Sequence, residues 1–422
     1  MNNSKIYSLF QEQMTNQKDD LGFRVIISFE NTSERDKFIS NNKELKILSK
    51  YDFIPSICVN LKKDQIIKYE KDKLIKQIEE DQRLLLSIFD FFEIISLHDY
   101  KNSQFFYTGN NVKVGIIDIG IREDVPSIYN SISKSYSLEK GVKKSNKKNL
   151  KDEISHGTIL ASLICNQFKD SEGEFIGIAP NSKIVDFNIS NLKQEYYFSN
   201  ILNVFDVIIK DNIELDILLI SFTTLNPSDG RDILSLACDL LVEKGLIVVC
   251  PAGNNGPELY TIGSPSAAKN VLTIGSITKM RTISDFSGRG PSLDKRIKPD
   301  FCLPGSEIKI PISNDLTINA TGTSVAAAIG VGIIALIKEH NPNASYNEIK
   351  ELFVKSSTDL GYDENIQGFG IPNIVNIFKN LNIFLERILP YNYLIKKAFA
   401  ITIEFTIIAI AIYYLFYFIM FI

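Results

Sequence analysis

The chain has 422 residues, 45% apolar and 23% charged, a balance that excludes a disordered or collagenous polypeptide. Its 46 Lys and Arg against 50 Asp and Glu leave a net charge of -4, which argues against a protein built to sit on nucleic-acid phosphates. The 5 cysteines form no Cys-x-x-Cys pair, so they read as buried reduced thiols and not as a disulfide framework or a thiolate metal site.

In chain order, residues 1–21 are polar and contain no apolar core of a secretory signal peptide. Phe23 to Phe29 reads as a strand and Thr32 to Asn41 as a helix. Ile54 to Asn60 is a second strand, Lys63 to Tyr69 a short helix and Leu74 to Ile78 a third strand, which together predict a small α+β unit over 22–90. Near residue 112 the rhythm changes. Val112 to Asp118 is a continuous apolar run of the kind buried on both faces of a parallel sheet. Lys183 to Ile189, Asp216 to Ser221, Leu246 to Cys250 and Val271 to Gly275 repeat it, with helical stretches Thr158 to Gln167, Phe198 to Asp211 and Arg231 to Lys244 between them. This alternation predicts an α/β fold over 91–385, an open, mostly parallel sheet with helices on both faces. Lys140 to Lys151 is a lysine-rich polar loop.

From Ala398 to Ile422 the sequence is predominantly apolar and carries a single charge, Glu404. As a helix this stretch is about 37 Å long, against a hydrocarbon core of about 30 Å. With Lys396 and Lys397 before it, 398–422 reads as one transmembrane helix, a C-terminal anchor that leaves the rest of the chain on the cytoplasmic side of the membrane.

Four segments carry candidate chemistry. Asp118 ends the first buried strand, where sites form beyond the carboxyl ends of parallel strands and where a carboxylate can hold an imidazole. His156, in Ser155-His-Gly-Thr158, directly precedes an apolar helix that Ser155 or Thr158 can cap. Asn254, in Pro251-Ala-Gly-Asn-Asn-Gly-Pro257, follows a strand and offers a fixed amide donor to a developing oxyanion. Ser324, in Gly322-Thr-Ser-Val-Ala326, opens a helix of small residues, where the helix dipole and a backbone N–H without a helical partner favour negative charge. Each segment has an ordinary structural use by itself. Of the other histidines, His98 lies in the expected junction between the two units and His340 in a helix end, and neither has a strand-end Asp beside it.

Taken together, Asp118-Ile-Gly, Ser155-His-Gly-Thr158 and Gly322-Thr-Ser-Val-Ala326, in the order Asp, His, Ser, make the chain resemble the subtilisin-like serine proteases, the subtilases. Gly177-Ile-Ala-Pro180, Asp285-Phe-Ser-Gly-Arg-Gly-Pro291 and Arg296-Ile-Lys-Pro-Asp300 extend the likeness over residues 108–380. The resemblance implies a serine endopeptidase with Asp118, His156 and Ser324 as catalytic residues and Asn254 in the oxyanion hole. It implies a polypeptide substrate bound as an extended strand along Ser221, Phe222, Thr223 and Gly253. It also implies that the ferredoxin-like α+β unit is a propeptide that inhibits the site until cleaved between Gln82 and Tyr100. No cofactor is required. Calcium sites are common in the family, but no residues of this chain are assigned to one. The alternative is a silent subtilase scaffold that binds peptides or partners. An α/β-hydrolase needs Gly-x-Ser-x-Gly, and Ala326 replaces its second glycine. Three departures from the family pattern stand out: Ile119 after the Asp, Ala328 in the serine helix, and Thr223, which narrows the cleft beside the substrate backbone.

Overall fold

A computed structural model describes residues 5–7, 10, 22–86, 107–137, 143–144, 154–169, 177–191, 194–313 and 316–388. His98, the apolar stretch 398–422 and most of the lysine-rich loop lie outside these residues, as does the junction beyond Leu86.

The N-terminal unit runs β1 (Phe23–Phe29), α1 (Thr32–Asn41), β2 (Ile47–Tyr51), β3 (Ser56–Leu61), α2 (Lys63–Glu70) and β4 (Ile75–Glu80). Its strands form an antiparallel sheet in the order β2-β3-β1-β4, the split β-α-β arrangement of ferredoxin-like units. Successive residues of a strand face opposite ways, so the nearly all-apolar β1 is covered on both sides. Val25 and Ile27 pack with Phe38 and Ile66 of its own helices, and Ile26 packs with Tyr51 and Cys58 into the core of the following unit. The sequence reading missed β2. This edge strand carries Ser49 and Lys50 among its apolar residues and leaves Lys50 exposed, so it shows no clean alternation. A short strand, β5 (Arg83–Leu86), follows.

The second unit comprises β6 (Lys113–Asp118), β7 (Ile132–Ser137), β8 (Lys143–Lys144), α3 (His156–Cys165), β9 (Lys183–Asn188), β10 (Tyr196–Tyr197), α4 (Phe198–Lys210), β11 (Ile217–Ile220), β12 (Phe222–Thr223), α5 (Ile233–Glu243), β13 (Ile247–Pro251), β14 (Leu272–Ile277) and β15 (Phe301–Pro304). The hairpin β16 (Ile308–Ser313) and β17 (Leu316–Ala320) leads into α6 (Thr323–His340), and α7 (Tyr346–Ser356), β18 (Ser357–Thr358), α8 (Glu364–Gln367), β19 (Ile371–Pro372) and α9 (Ile374–Ile388) close the described chain.

The main sheet has the order β15-β14-β13-β11-β6-β9-β7-β8, parallel throughout except for the β7–β8 pair. After β6 the chain runs out to β7 and β8 on one side, returns to β9 beside β6, and then crosses to the other side to lay down β11, β13, β14 and β15 in turn. The reversal lies between β6 and β11, and the loops leaving their carboxyl ends open a crevice there. Helices α3 and α6 cover one face with Leu160, Ile164, Val331 and Ile334, and α4 and α5 cover the other with Phe198, Phe205, Leu234 and Leu241. Helix α6 has the length and apolar content of a membrane span, yet 83% of it is buried inside the fold, so it is the core helix of this unit.

Candidate active site

The crevice collects its side chains from strand ends and helix starts. Asp118 is the last residue of β6 and is fully buried. Its Oδ1 accepts the N–H of Ile119 at 2.7 Å, and its Oδ2 lies 2.7 Å from Nδ1 of His156. A carboxylate only accepts, so the imidazole proton sits on Nδ1 and the Nε2 lone pair is left free. The Ser324 hydroxyl, 2.9 Å away, donates to that Nε2.

Local sequence explains why these groups meet. Ser155 is the N-cap of α3: its Oγ accepts the Thr158 N–H at 3.3 Å and donates to the Gly120 carbonyl oxygen at 2.6 Å. The cap therefore starts the helix at His156, two residues earlier than periodicity suggests, and ties it to the turn after β6. Gly157 lets the two approach: a β-carbon there would lie 2.7 Å from the Gly120 carbonyl oxygen and 3.1 Å from Asp118 Cβ.

Ser324 is the second residue of α6, so its N–H has no acceptor inside the helix. Asn254 follows β13, and its Oδ1 accepts both the N–H of Thr323 at 3.0 Å and its hydroxyl at 2.9 Å. Thr323 Oγ1 in turn accepts the Gly253 N–H at 3.1 Å. These bonds fix the amide with its oxygen on Thr323 and its Nδ2 toward the serine. The position a β-carbon would take at Gly322 lies 3.3 Å from Ser324 Oγ, 3.5 Å from Asn254 Nδ2 and 3.9 Å from Ser324 N. Glycine thus keeps open a space that has the hydroxyl on one side and two N–H donors on the other. This geometry suits an oxygen that gains negative charge as the hydroxyl attacks its carbon.

The adjoining cleft is occupied by the chain itself. β5 lies antiparallel between β10 and β12, with Leu84 opposite Tyr196, Leu86 opposite Phe222 and Leu85 opposite Thr223. Ser221 donates its hydroxyl to the Ile117 carbonyl oxygen at 2.9 Å, which holds the start of this wall against β6. Phe222 is fully buried with its ring 5.2 Å from that of Tyr196.

Asp118, His156, Ser324 and Asn254 thus converge; beside them Phe222 and Thr223 pair with β5, Ser221 just before that pair is bonded to β6, and Gly253 is bonded to Thr323. Sequence reasoning singled out neither Thr323, which orients the Asn254 amide, nor the β5 and β10 pairings. It also passed over Asp186 on β9, opposite Ile116 of β6. Burial pushes the Asp186 carboxyl well above the ordinary carboxylate range and the nearby Asp118 charge adds to this, against hydrogen bonding from the Ile121 N–H and the Ser135 side chain. Among the described residues no cluster of three or more His, Cys, Asp or Glu side chains is arranged to hold a metal ion.

A buried carboxylate, an imidazole and a serine hydroxyl in one hydrogen-bonded line, at the reversal point of a parallel α/β sheet, define a serine hydrolase site. The sequence model of the subtilase family matches residues 109–370, and the chain belongs to that family of serine proteases. It is 28% identical over 300 residues to the serine protease AprX of Bacillus subtilis (strain 168), a match covering 64% of this chain and 66% of AprX, just under two thirds. It is 24% identical over 376 residues to subtilisin E of the same organism, covering 85% and 90% of the two chains. Among solved structures, the epidermin leader peptide processing serine protease of Staphylococcus aureus superposes with a TM-score of 0.68 at 18% identity over 86% of this chain and all of that one, a likeness of fold.

Proposed function

We propose that this chain is a membrane-anchored serine endopeptidase made as a self-processing zymogen. The observation that carries the catalytic reading is the hydrogen-bonded line Asp118–His156–Ser324. In this reading Ser324 Oγ attacks the scissile carbonyl carbon while its proton passes to His156 Nε2. Asp118 holds the imidazole and stabilises the imidazolium. The Asn254 amide and the Ser324 N–H take the charge on the tetrahedral oxygen. The C–N bond then breaks and the His156 proton leaves with the amine. Water, deprotonated by His156, attacks the acyl ester and frees Ser324. The chain's own residues supply every proton position, and the reading requires no cofactor; calcium remains unassigned.

The zymogen reading is supported by β5, a segment of the same chain lying where an extended substrate belongs, at the end of a unit that packs on α4 and α5. The apolar stretch 398–422 behind Lys396 and Lys397 supports the membrane anchor, with the peptidase unit on the cytoplasmic side. To test the catalytic core, the purified chain is treated with an alkyl fluorophosphonate and assayed on casein-derived peptides. The expected result is labelling at Ser324 and peptide hydrolysis, both lost in Ser324→Ala. Labelling without hydrolysis of any peptide would favour a silent, peptide-binding scaffold. No labelling, or hydrolysis undiminished in Ser324→Ala, would refute the assignment.

A further inference from the structure

A strand bound in the cleft fixes which of its side chains meets which wall. β5 gives the direction and register: Leu85 opposite Thr223, then Leu86 opposite Phe222. A chain bound this way brings its next residue opposite Ser221, which follows the Ile220–Ile117 pair at the end of β11 and β6. On the peptidase reading, that residue supplies the carbonyl that Ser324 Oγ attacks. Its side chain enters the slot between two segments that leave the paired parallel strands β11 and β13, namely 221–224 and 252–254. Residues 263–266 form the third wall, held to the first by a bond from the Thr224 N–H to the Ser264 carbonyl oxygen at 2.9 Å and one from the Ser264 N–H to Thr224 Oγ1 at 2.9 Å.

Thr223 packs against both facing walls. A β-carbon at Gly253 would lie 3.2 Å from Thr223 Cγ2; one at Gly263 would meet the Thr224 carbonyl oxygen first, at 2.2 Å, and Thr223 Oγ1 at 3.0 Å. The Ser266 hydroxyl reaches the same Oγ1 at 3.4 Å. Thr223 itself is only 5% exposed. Its side chain therefore reaches from one facing wall to the other, Cγ2 toward Gly253 and Oγ1 toward Gly263 and Ser266, and a methyl added at Gly253 would be crowded by it.

We propose that Thr223 sets a size limit on the substrate: the residue that supplies the scissile carbonyl carries a small side chain, that of Gly, Ala or Ser. This inference rests on the peptidase reading and adds the substrate class to it. In the chain's own sequence the residue after Leu85-Leu86 is Ser87, which meets the limit.

The test uses the full chain and two peptidyl diphenyl phosphonates, Leu-Leu-Ala and Leu-Leu-Phe, with an alkyl fluorophosphonate as the side-chain-independent control. The native chain is expected to be labelled at Ser324 by the Ala probe about 30-fold or more faster than by the Phe probe, the scale on which apolar pockets discriminate by size. Thr223→Gly is expected to raise the Phe-to-Ala rate ratio by about tenfold or more, and Thr223→Ser, which keeps the hydroxyl and loses Cγ2, by a smaller factor. Equal labelling of the native chain by both probes would overturn the proposal. So would an unchanged ratio in Thr223→Gly that still reacts with the alkyl probe. If Thr223→Gly fails to react with the alkyl probe, the ratio in Thr223→Ser decides. Native chain that resists the alkyl probe refutes the peptidase reading, and this inference with it.

Discussion

At Gly157 the site depends on a missing methyl group. The helix that carries His156 rests directly on Asp118 and on the turn after β6, with 2.7 Å between a β-carbon position at Gly157 and the Gly120 carbonyl oxygen. Real β-carbons do not approach an oxygen that closely, so an alanine pushes α3 away from β6 and lengthens the His156–Asp118 contact, now 2.7 Å. Alanine is otherwise a better helix former than glycine, so the loss falls on alignment and not on helix formation. Gly157→Ala should lower kcat by about 10²-fold, the cost of misplacing a catalytic group by about 1 Å, with KM little changed because the cleft walls are untouched. Steady-state kinetics on one peptide substrate checks this, and an unaltered kcat would show that α3 can shift without moving the imidazole. The same reasoning explains what a reader of the sequence could and could not see. Asp118, His156, Asn254 and Ser324 were legible because each sits at a strand end or a helix start marked by caps and glycines. Thr323 was not, since its role is to hold another residue's amide, and no sequence pattern announces that.

At the scale of elements, carboxylates at one strand end join the N-terminal sheet to the α/β unit. Both Glu79 oxygens accept the N–H of Ile233, the first residue of α5, at 2.8 Å. Asp81 accepts the N–H of Ser199 at 2.8 Å and its hydroxyl at 2.6 Å, near the start of α4. These N–H groups have no partner within their own helices. The exchange is mutual, because Asp206 on α4 accepts the N–H groups of Asp52 and Phe53. Glu79 is completely buried, and burial first, then the charge of the neighbouring Asp232, push its carboxyl well above its ordinary value of 4.5; the Ile233 N–H works in the opposite direction. A carboxyl whose pKa is raised in the docked state holds a proton that the free state gives up. Its contribution to docking is complete below the ordinary carboxyl range and is lost as pH rises through the raised value. After cleavage, release of the N-terminal unit should therefore speed up as pH rises above that range. Glu79→Gln, which keeps an acceptor oxygen and cannot ionise, should flatten this dependence. Onset of peptidase activity followed over a pH series measures it, and a native chain whose release rate ignores pH would refute the argument. The long apolar strands and capped helices behind this interface were readable from period and punctuation. The short pairings β5, β10 and β12 were not, because distant segments meeting in a cleft make them, with too few residues for any alternation to register.

For the whole molecule, the fold places one segment of chain, β5, against Phe222–Thr223, and the proposed function gives the apolar stretch 398–422 a second role as an anchor. The β5 strand lies along Phe222–Thr223, and on the zymogen proposal the cleft is free for other substrates only after the chain is cut and the N-terminal unit leaves. A cut in the expected window between Gln82 and Tyr100, upstream of β6, would leave Asp118, His156, Asn254 and Ser324 on a single fragment with the apolar stretch 398–422. On this proposal processing and anchoring are independent: the N-terminal unit should leave while the peptidase stays on the membrane. Two outcomes are expected when the chain is expressed in membranes and washed with alkaline carbonate. The native chain should shed an N-terminal fragment ending in that window, with the peptidase fragment retained in the pellet, whereas Ser324→Ala should remain whole and also pellet. Intact mass of each fraction reads both events. A cytoplasmic peptidase further requires that protease added to sealed inside-out vesicles digest the α/β unit, and that right-side-out vesicles protect it. If the Ser324→Ala chain were cut at the same place, the strand in the cleft would not be the chain's own substrate. If the processed peptidase washed free, residues 398–422 would not be an anchor, and the lysine pair before them would lose its topological meaning.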